Sequence, residues 1–554
     1  MKNLKYYILT LACILGITSC SLDETNYTEV GKDNYMKDAS EAQNVLLGIY
    51  RNMIDEGMYK YNLSLLFTIP TDIAKGPGNS TDGLRLVPAN AYGSNQSDVQ
   101  LTWASLYAGV YCANDFLEAL QQKIQTYDEK NYKLAVIYMA EARALRALHY
   151  FELVRWFRNI ALITNTSQSY LPPSEYTQAN PIDVYKYIEK DLLYAIDNLP
   201  YAVDDNLRSN SSFRLSKGSA LGLLTKVYAT WASEDDTKWE KAAQTAKVLV
   251  ESGKHHLLSE YDQLWKNTCN GIWDPAESLI EISFYTPNSS VNSYGRIGKW
   301  NGVAATGIRS GRNAGNWRVI PTFLRDWKDR DKDLRAYISV ADYNYTGGSK
   351  RGVIKDQPNI TFEEIIKDDA KDSQRKTYVD GMYPAKWDTE LYVSDENYLI
   401  DQNYSNINWY VLRYADVLLL YAEALNEWKG SPTPEAYAAI NMVRRRGFGT
   451  DVNTPNSQAD LSGLDGTAFR KAVRDERAYE LAFEGHRRQD LIRWGIYYDA
   501  IQNTQSELSS WCQSLGTLYI CSQYTQKNKH ELLPIPLRDM SLLKQFKQNP
   551  GWGK

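Results

Sequence analysis

Apolar residues recur at spacings of three and four along several long segments, the pattern of helices that bury one face. Over residues 139–158, Ala140, Ala144, Ala147, Phe151 and Val154 share a face. Residues 181–198 open on Pro181, which suits a first helical turn, and carry Tyr185, Ile188, Leu192 and Ile196 on one side. Segments 216–232 and 238–252 read as a helix pair that approaches through Ala220, Ala229, Ala243 and Ala246. Segments 410–428 and 434–446 read as another, with Ala415, Leu419, Ala422 and Leu425 on the first and Ala436, Ala439 and Val443 on the second. Two stretches lack a period: 68–100, and about 284–405, the latter rich in Gly, Asn, Ser, Tyr and Trp. Long loops on a rigid body are where binding residues tend to sit. The fold expected is mainly α, a helix-pair scaffold carrying long irregular loops with little β structure.

Helix pairs with Ala at the crossings and Tyr or Trp in the gaps resemble tetratricopeptide units, here degenerate and widely separated. Composition adds one feature. The 554 residues include 15 Trp and 41 Tyr against 12 Phe. Tyr and Trp carry a polar tip and suit half-wet surfaces, although helical repeats also use them in packing. The formal net charge is −5, and a leader holding Lys2 and Lys5 and no acid leaves −7 once removed. That argues against a nucleic-acid partner, which calls for a basic stripe.

The N-terminus reads as a leader. Lys2 and Lys5 precede an apolar run, Tyr6 to Ile17, too short to span a bilayer. It ends in Ile17-Thr18-Ser19-Cys20, which looks like a bacterial lipobox, so residues 1–19 are expected as a lipoprotein signal peptide and Cys20 as the lipid-bearing residue. Residues 20–35 form a tether with Asp23 and Glu24, similar to a surface-export signal. Of the remaining cysteines, Cys512 and Cys521 either close a small disulfide loop or stay free with Cys112 and Cys269. No CxxC or Cys/His cluster is present, so no metal or cofactor is expected.

Three further stretches resemble the SusD/RagB family of outer-membrane nutrient-binding lipoproteins. Arg143-Ala144-Leu145-Arg146-Ala147-Leu148-His149-Tyr150 matches the family's R-x-L-R-A-x-x-Y helix. Leu412-Arg413-Tyr414-Ala415-Asp416 with Ala422-Glu423-Ala424 and Ile440-Asn441 forms the second. The third runs from Arg474-Asp475-Glu476-Arg477 through Glu480 and Glu484-Gly485-His486-Arg487-Arg488 to Asp490-Leu491. Leu533-Pro534-Ile535-Pro536 and Asn549-Pro550-Gly551-Trp552 close the chain in the family's manner. The resemblance covers residues 36–554, expected as one SusD-like domain with an N-terminal part to about 270 and a C-terminal part from about 271. The charges of the third motif are spaced for ion pairs that lock the last helix onto the body. His149 and His486 are expected as satisfied structural histidines.

The resemblance implies a non-catalytic role: capture of a nutrient glycan at the cell surface and delivery to a SusC-like TonB-dependent transporter. Peptide cargo, as in the RagB branch, and a surface glycoside hydrolase are the alternatives. No HExxH, GxSxG or Gly-rich phosphate loop supports an enzyme. The family's glycan platform implies stacking aromatics on loops. Ser293-Tyr294-Gly295 resembles its N-Y-G element and Gly315-Asn316-Trp317 its N-G-W element. Tyr294 and Trp317 are thus the candidate stacking residues, with Trp300, Arg309, Arg312 and Asn313 in the same polar stretch; the alternative is that they cap the core. Pro70-Thr71-Asp72 matches the family's P-T-D and adds Asp72, but the tryptophans that follow it in the starch-binding archetype are replaced by Ile73-Ala74-Lys75-Gly76. Asp329-x-Asp331-x-Asp333 lacks the Gly and closing Glu of a calcium loop and reads as a solvated or capping run.

Overall fold

The computed structural model describes residues 35–553, apart from 211–213, 286–292, 310, 398, 400 and 514–515. The leader, Cys20 and the tether, except for Tyr35, lie outside the described residues. The fold is mainly α. Its body is a row of helices: α1 (Ala39–Asn52), α2 (Ser97–Lys123), α3 (Glu129–Phe157), α4 (Pro181–Asn198), α5 (Lys217–Trp231), α6 (Lys238–Glu251), α7 (Tyr414–Lys429), α8 (Pro434–Gly447) and α9 (Gly466–Glu480). α1, α2 and α4 pack on α3, α5 continues from α4, α6 packs on both α5 and α7, and α7 carries α8 and α9.

Local chemistry sets the helix starts. Asp38, Asp128, Asn180, Thr433 and Asp465 accept backbone N–H groups of the first turns, and Ser216 closes a capping box with Ser219. The periodic segments match their helices closely, with two differences. α3 begins ten residues before the predicted 139, behind the Asp128 cap. Residues 409–413 form a strand rather than a helical turn, paired antiparallel with Ser278–Ile282, and every residue of both strands is buried. Full burial on both faces removes the alternation that would mark a strand, so the run reads like the helix that follows it. One apolar core runs from Met36 to Trp552. α2 crosses α3 at Gly109, where a Cβ would come within 2.0 Å of the His149 ring.

The body encloses a second, ionic core. Arg413 donates to Glu277 (3.1 Å), Glu480 (2.6 Å) and Glu484 (2.7 Å), and Arg446 to Glu277 and Glu480 (2.5 Å each). Arg335 meets Asp333 (2.7 Å), Glu476 (2.6 Å) and Glu480 (3.0 Å), Arg444 meets Glu476 (3.0 Å), and Lys386 meets Glu484 (2.8 Å). Burial raises the cost of each carboxylate's charge, yet the arginines hold Glu480 far below its usual range; Lys386 falls to about 8, chiefly through burial. Nearby, Arg477 bridges Asp416 and Asp490. The third motif is therefore an ion-pair scaffold, as expected. Asp333 is buried rather than solvated: it pairs with Arg335, accepts the Trp327 indole N–H at 3.0 Å, and accepts the Arg335 backbone N–H at 3.1 Å at the start of the helix Arg335–Ser339, the capping alternative for its run. His149 is bonded on both nitrogens, to the Leu145 carbonyl and Asn52; His486 receives Lys226 Nζ at 2.8 Å, and burial lowers the two rings to about 4 and about 3. Cys512 and Cys521 are not joined by a disulfide, and Cys112 is exposed.

Candidate functional site

The two aperiodic stretches are tied by a short ladder, Ala74–Lys75 antiparallel to Arg318–Val319, in register Ala74↔Val319 and Lys75↔Arg318. Above it a cavity of about 400 Å³ opens between three segments. Asn62–Leu66, a five-residue π-helix, supplies Leu65 and Leu66, with Tyr61 and Ile69 at its ends. Residues 77–88 supply Pro77, Leu84, Arg85 and Pro88, and the third segment supplies Trp300, Asn316 and Trp317. Single π turns often mark functional positions, because the extra residue redirects side chains. Here Ser64 and Thr68 bond back to carbonyls at Tyr59 and Ser64, satisfying polar groups that the distorted turn leaves over.

The aromatic lining, Tyr61 and Trp300, is backed by a cation. Trp300 is half-buried and sits edge-on to Tyr61 at 5.0 Å between centroids. The Arg296 guanidinium lies 4.9 Å from Tyr61, 5.0 Å from Trp300 and 5.5 Å from Tyr404, and pairs with Glu56 at 3.0 Å. Tyr404 stacks on Tyr294 at 5.8 Å and 22°. A ring face beside cations and carbonyls suits a pyranose, whose C–H face packs on the ring while its hydroxyls bond at the rim.

Of the residues proposed from sequence, Trp300 alone lines the cavity with a partly open ring. Trp317 also lines it, but only 2 % of the residue is exposed and its Nε1 donates to the Leu65 carbonyl at 2.8 Å. It is the floor of the cavity and part of the core, not an exposed stacking platform. Tyr294 is half-buried and reaches the wall only through Tyr404. Asp72 points elsewhere, into a bidentate pair with Arg487 (2.6 and 2.8 Å) that ties the loop to the C-terminal helices. Asn313 is buried and donates to the Thr389 hydroxyl at 2.7 Å, a structural bond that ties the strand Gly311–Asn313 to the short helix Thr389–Tyr392. Arg309 pairs with Asp395 and approaches Glu390 at 3.8 Å, and Arg312 is exposed on the neighbouring strand. The cavity does not gather these polar residues. Of the lining residues, sequence reading missed Tyr61 and Arg85. Tyr61 lies in a run, Tyr59 to Phe67, that looks like ordinary core; it is itself largely buried and precedes the π turn at the edge of the cavity.

A family model described as SusD family matches residues 288–552, and one described as starch-binding associating with outer membrane matches residues 22–229. A SusD homologue from Bacteroides thetaiotaomicron of known crystal structure is 54% identical, covers 95% of this chain and 99% of its own, and superposes with a TM-score of 0.90. A structurally characterised laminarin-binding SusD-like protein is 26% identical over 92% of this chain and 99% of its own, with a TM-score of 0.65. SusD-like protein P25 of Formosa agariphila is 25% identical over 97% of this chain and 96% of its own. The motifs, the helical row and these likenesses agree: the chain belongs to the SusD family.

Proposed function

We propose that this protein binds a nutrient glycan at the surface of the outer membrane and passes it, uncleaved, to a SusC-like TonB-dependent transporter. The observation that carries the reading is the cavity of about 400 Å³ walled by the half-buried Trp300 and by Tyr61. Its volume suits one or two sugar rings, within the ordinary range for small-ligand sites. The laminarin-binding relative, similar over nearly its whole length, supports a carbohydrate cargo. Tyr294 and Tyr404 extend the aromatic wall for a longer chain. Anchoring is assigned to acylated Cys20, since several acyl chains on one residue hold stably where a single chain is marginal. Calorimetry against a panel of oligosaccharides tests the binding, with chromatography of the recovered sugar testing the absence of cleavage. Binding of an oligosaccharide without new reducing ends supports the proposal. Binding of peptides alone, or turnover of the sugar, contradicts it. Cys20→Ala should release the protein from the membrane fraction, and unchanged fractionation would refute the anchor.

A further inference from the structure

The two tryptophans that line the cavity are held in different ways. The Trp317 indole N–H is fixed by the Leu65 carbonyl at 2.8 Å. The Trp300 indole N–H is withdrawn from water and has no hydrogen-bond partner among the described residues. The Trp300 ring is nonetheless partly open to the cavity. No polar bond therefore sets the orientation of this side chain, and the rings and charges packed around it do so instead.

Those neighbours converge on Arg296. It does not line the cavity itself; its guanidinium lies over both lining rings, 4.9 Å from the centre of Tyr61 and 5.0 Å from that of Trp300. Tyr404 stands on a further side at 5.5 Å. All three distances are within the range at which a ring attracts a guanidinium. Nη2 of Arg296 donates to Glu56 at 3.0 Å, and Glu56 also takes Lys60 at 3.5 Å. The ion pair joins two walls. The Glu56 carbonyl accepts the Asn62 N–H at 3.0 Å, where the π-helix begins, and the Arg296 carbonyl accepts the Trp300 N–H at 3.1 Å. Arg296 thus stands one turn before Trp300, and Glu56 leads into the segment that carries Tyr61. A single ion pair therefore bridges the two segments whose rings face each other at the cavity. With 20 % of the Arg296 side chain and 32 % of the Glu56 side chain exposed, the pair is screened by water and adds little to stability. What it fixes is geometry. A ring already held in place loses little rotamer freedom when a ligand arrives, whereas a free ring loses that freedom on binding.

We propose that Arg296 is a positioning residue of the glycan site: anchored on Glu56, it holds Trp300 against Tyr61 in the orientation that receives a sugar ring, without itself touching the sugar. The inference rests on the glycan reading above and deepens it. Two measurements on the purified protein test it, and the first needs no ligand. In protein labelled with 5-fluorotryptophan, the Trp300 fluorine resonance is identified by its absence from Trp300→Phe, and that of Trp317 by its absence from Trp317→Phe. In Arg296→Met the Trp300 resonance should shift or broaden as the ring gains freedom, with the Trp317 resonance unmoved. The second measurement is calorimetry with the strongest binder of the oligosaccharide panel. Affinity should fall roughly three- to tenfold in Arg296→Met, the cost of ordering one freed side chain on binding, with the melting temperature within a few degrees of the parent. Arg296→Lys keeps a cation but not the planar fork and should recover part of the loss. Glu56→Gln, a near-isosteric change at a partly exposed position, should reproduce the loss in weaker form, and it carries both readouts if Arg296→Met does not fold. An unmoved Trp300 resonance would overturn the proposal even if affinity fell, since Arg296 would then act on the ligand directly. A moved resonance with unchanged affinity would overturn it as well. In both cases glycan capture stands, because the parent still binds. No binding by the parent to any oligosaccharide would overturn the glycan reading and this role with it.

Discussion

Arg413 is fully buried and Arg318 half-buried, and the two differ in polar satisfaction. Arg413 touches Glu277, Glu480 and Glu484, and those carboxylates touch Arg446, Arg335 and Lys386 in turn. Arg318 leans on an aromatic ring and a long bond to a carbonyl. The first arrangement closes on itself and locks the strand pair and α7 to α9. The second packs on Tyr383 beside the two-residue ladder and closes no such network. A buried charge is costly unless it is paired or hydrogen-bonded, so the closed network serves structure.

The largest contrast should appear in stability. Arg413→Met leaves Glu480 and Glu484 short of a partner in the core and should cost about 3–5 kcal/mol in urea unfolding. Arg318→Gln removes a charge that nothing in the fold pairs, and its cost should stay below about 1 kcal/mol. Equal losses in the two variants would erase the distinction. Trp317→Ala, as the floor of the cavity and part of the core, should cost about 3 kcal/mol through the void it leaves. A Trp317 that merely faced a ligand would lose affinity with stability intact.

A smaller effect lies in pH. Glu281, on the buried strand Ser278–Ile282, is bonded by Asn408 and Ser278 at 2.8 Å but paired with no cation, and burial pushes its carboxyl up to about 7. The unfolded carboxyl titrates at about 4.3, so between that value and about 7 the folded state keeps a proton that the unfolded state has lost. Stability from this group is therefore lost as pH rises through that window. Glu281→Gln should be more stable than the parent by about 1–3 kcal/mol at pH 8 and no more stable at pH 4. A pH-independent difference would remove the titration from the account.

The helical body was legible because its residues repeat at the period of the structure. Pro181 marked a helix start, and Ala220, Ala243 and Ala415 marked crossings, whatever lay on the far side of the contact. The motif around Arg477 and Glu480 announced an ion-pair scaffold through its density of opposite charges. The cavity was half legible. Loop composition pointed to 68–100 and to the region around 300–317, and both contribute. Which side chains face inward depends on a two-residue ladder and one π turn, neither of which has a sequence period. Trp317 and Trp300 lie in equally polar surroundings along the chain, and only the bond from Trp317 to the Leu65 carbonyl turns one inward to the core. Asp72 was drawn off by Arg487, 415 residues away in sequence.

The central claim is that ligand binds against Trp300 in this cavity. Its most direct test is Trp300→Ala, with affinity for the strongest binder of the oligosaccharide panel and melting temperature measured on the same preparation. Loss of a stacking ring should lower affinity roughly ten- to hundredfold while the melting temperature moves by no more than a few degrees. Undiminished affinity in a well-folded Trp300→Ala protein would place the ligand elsewhere and contradict the account.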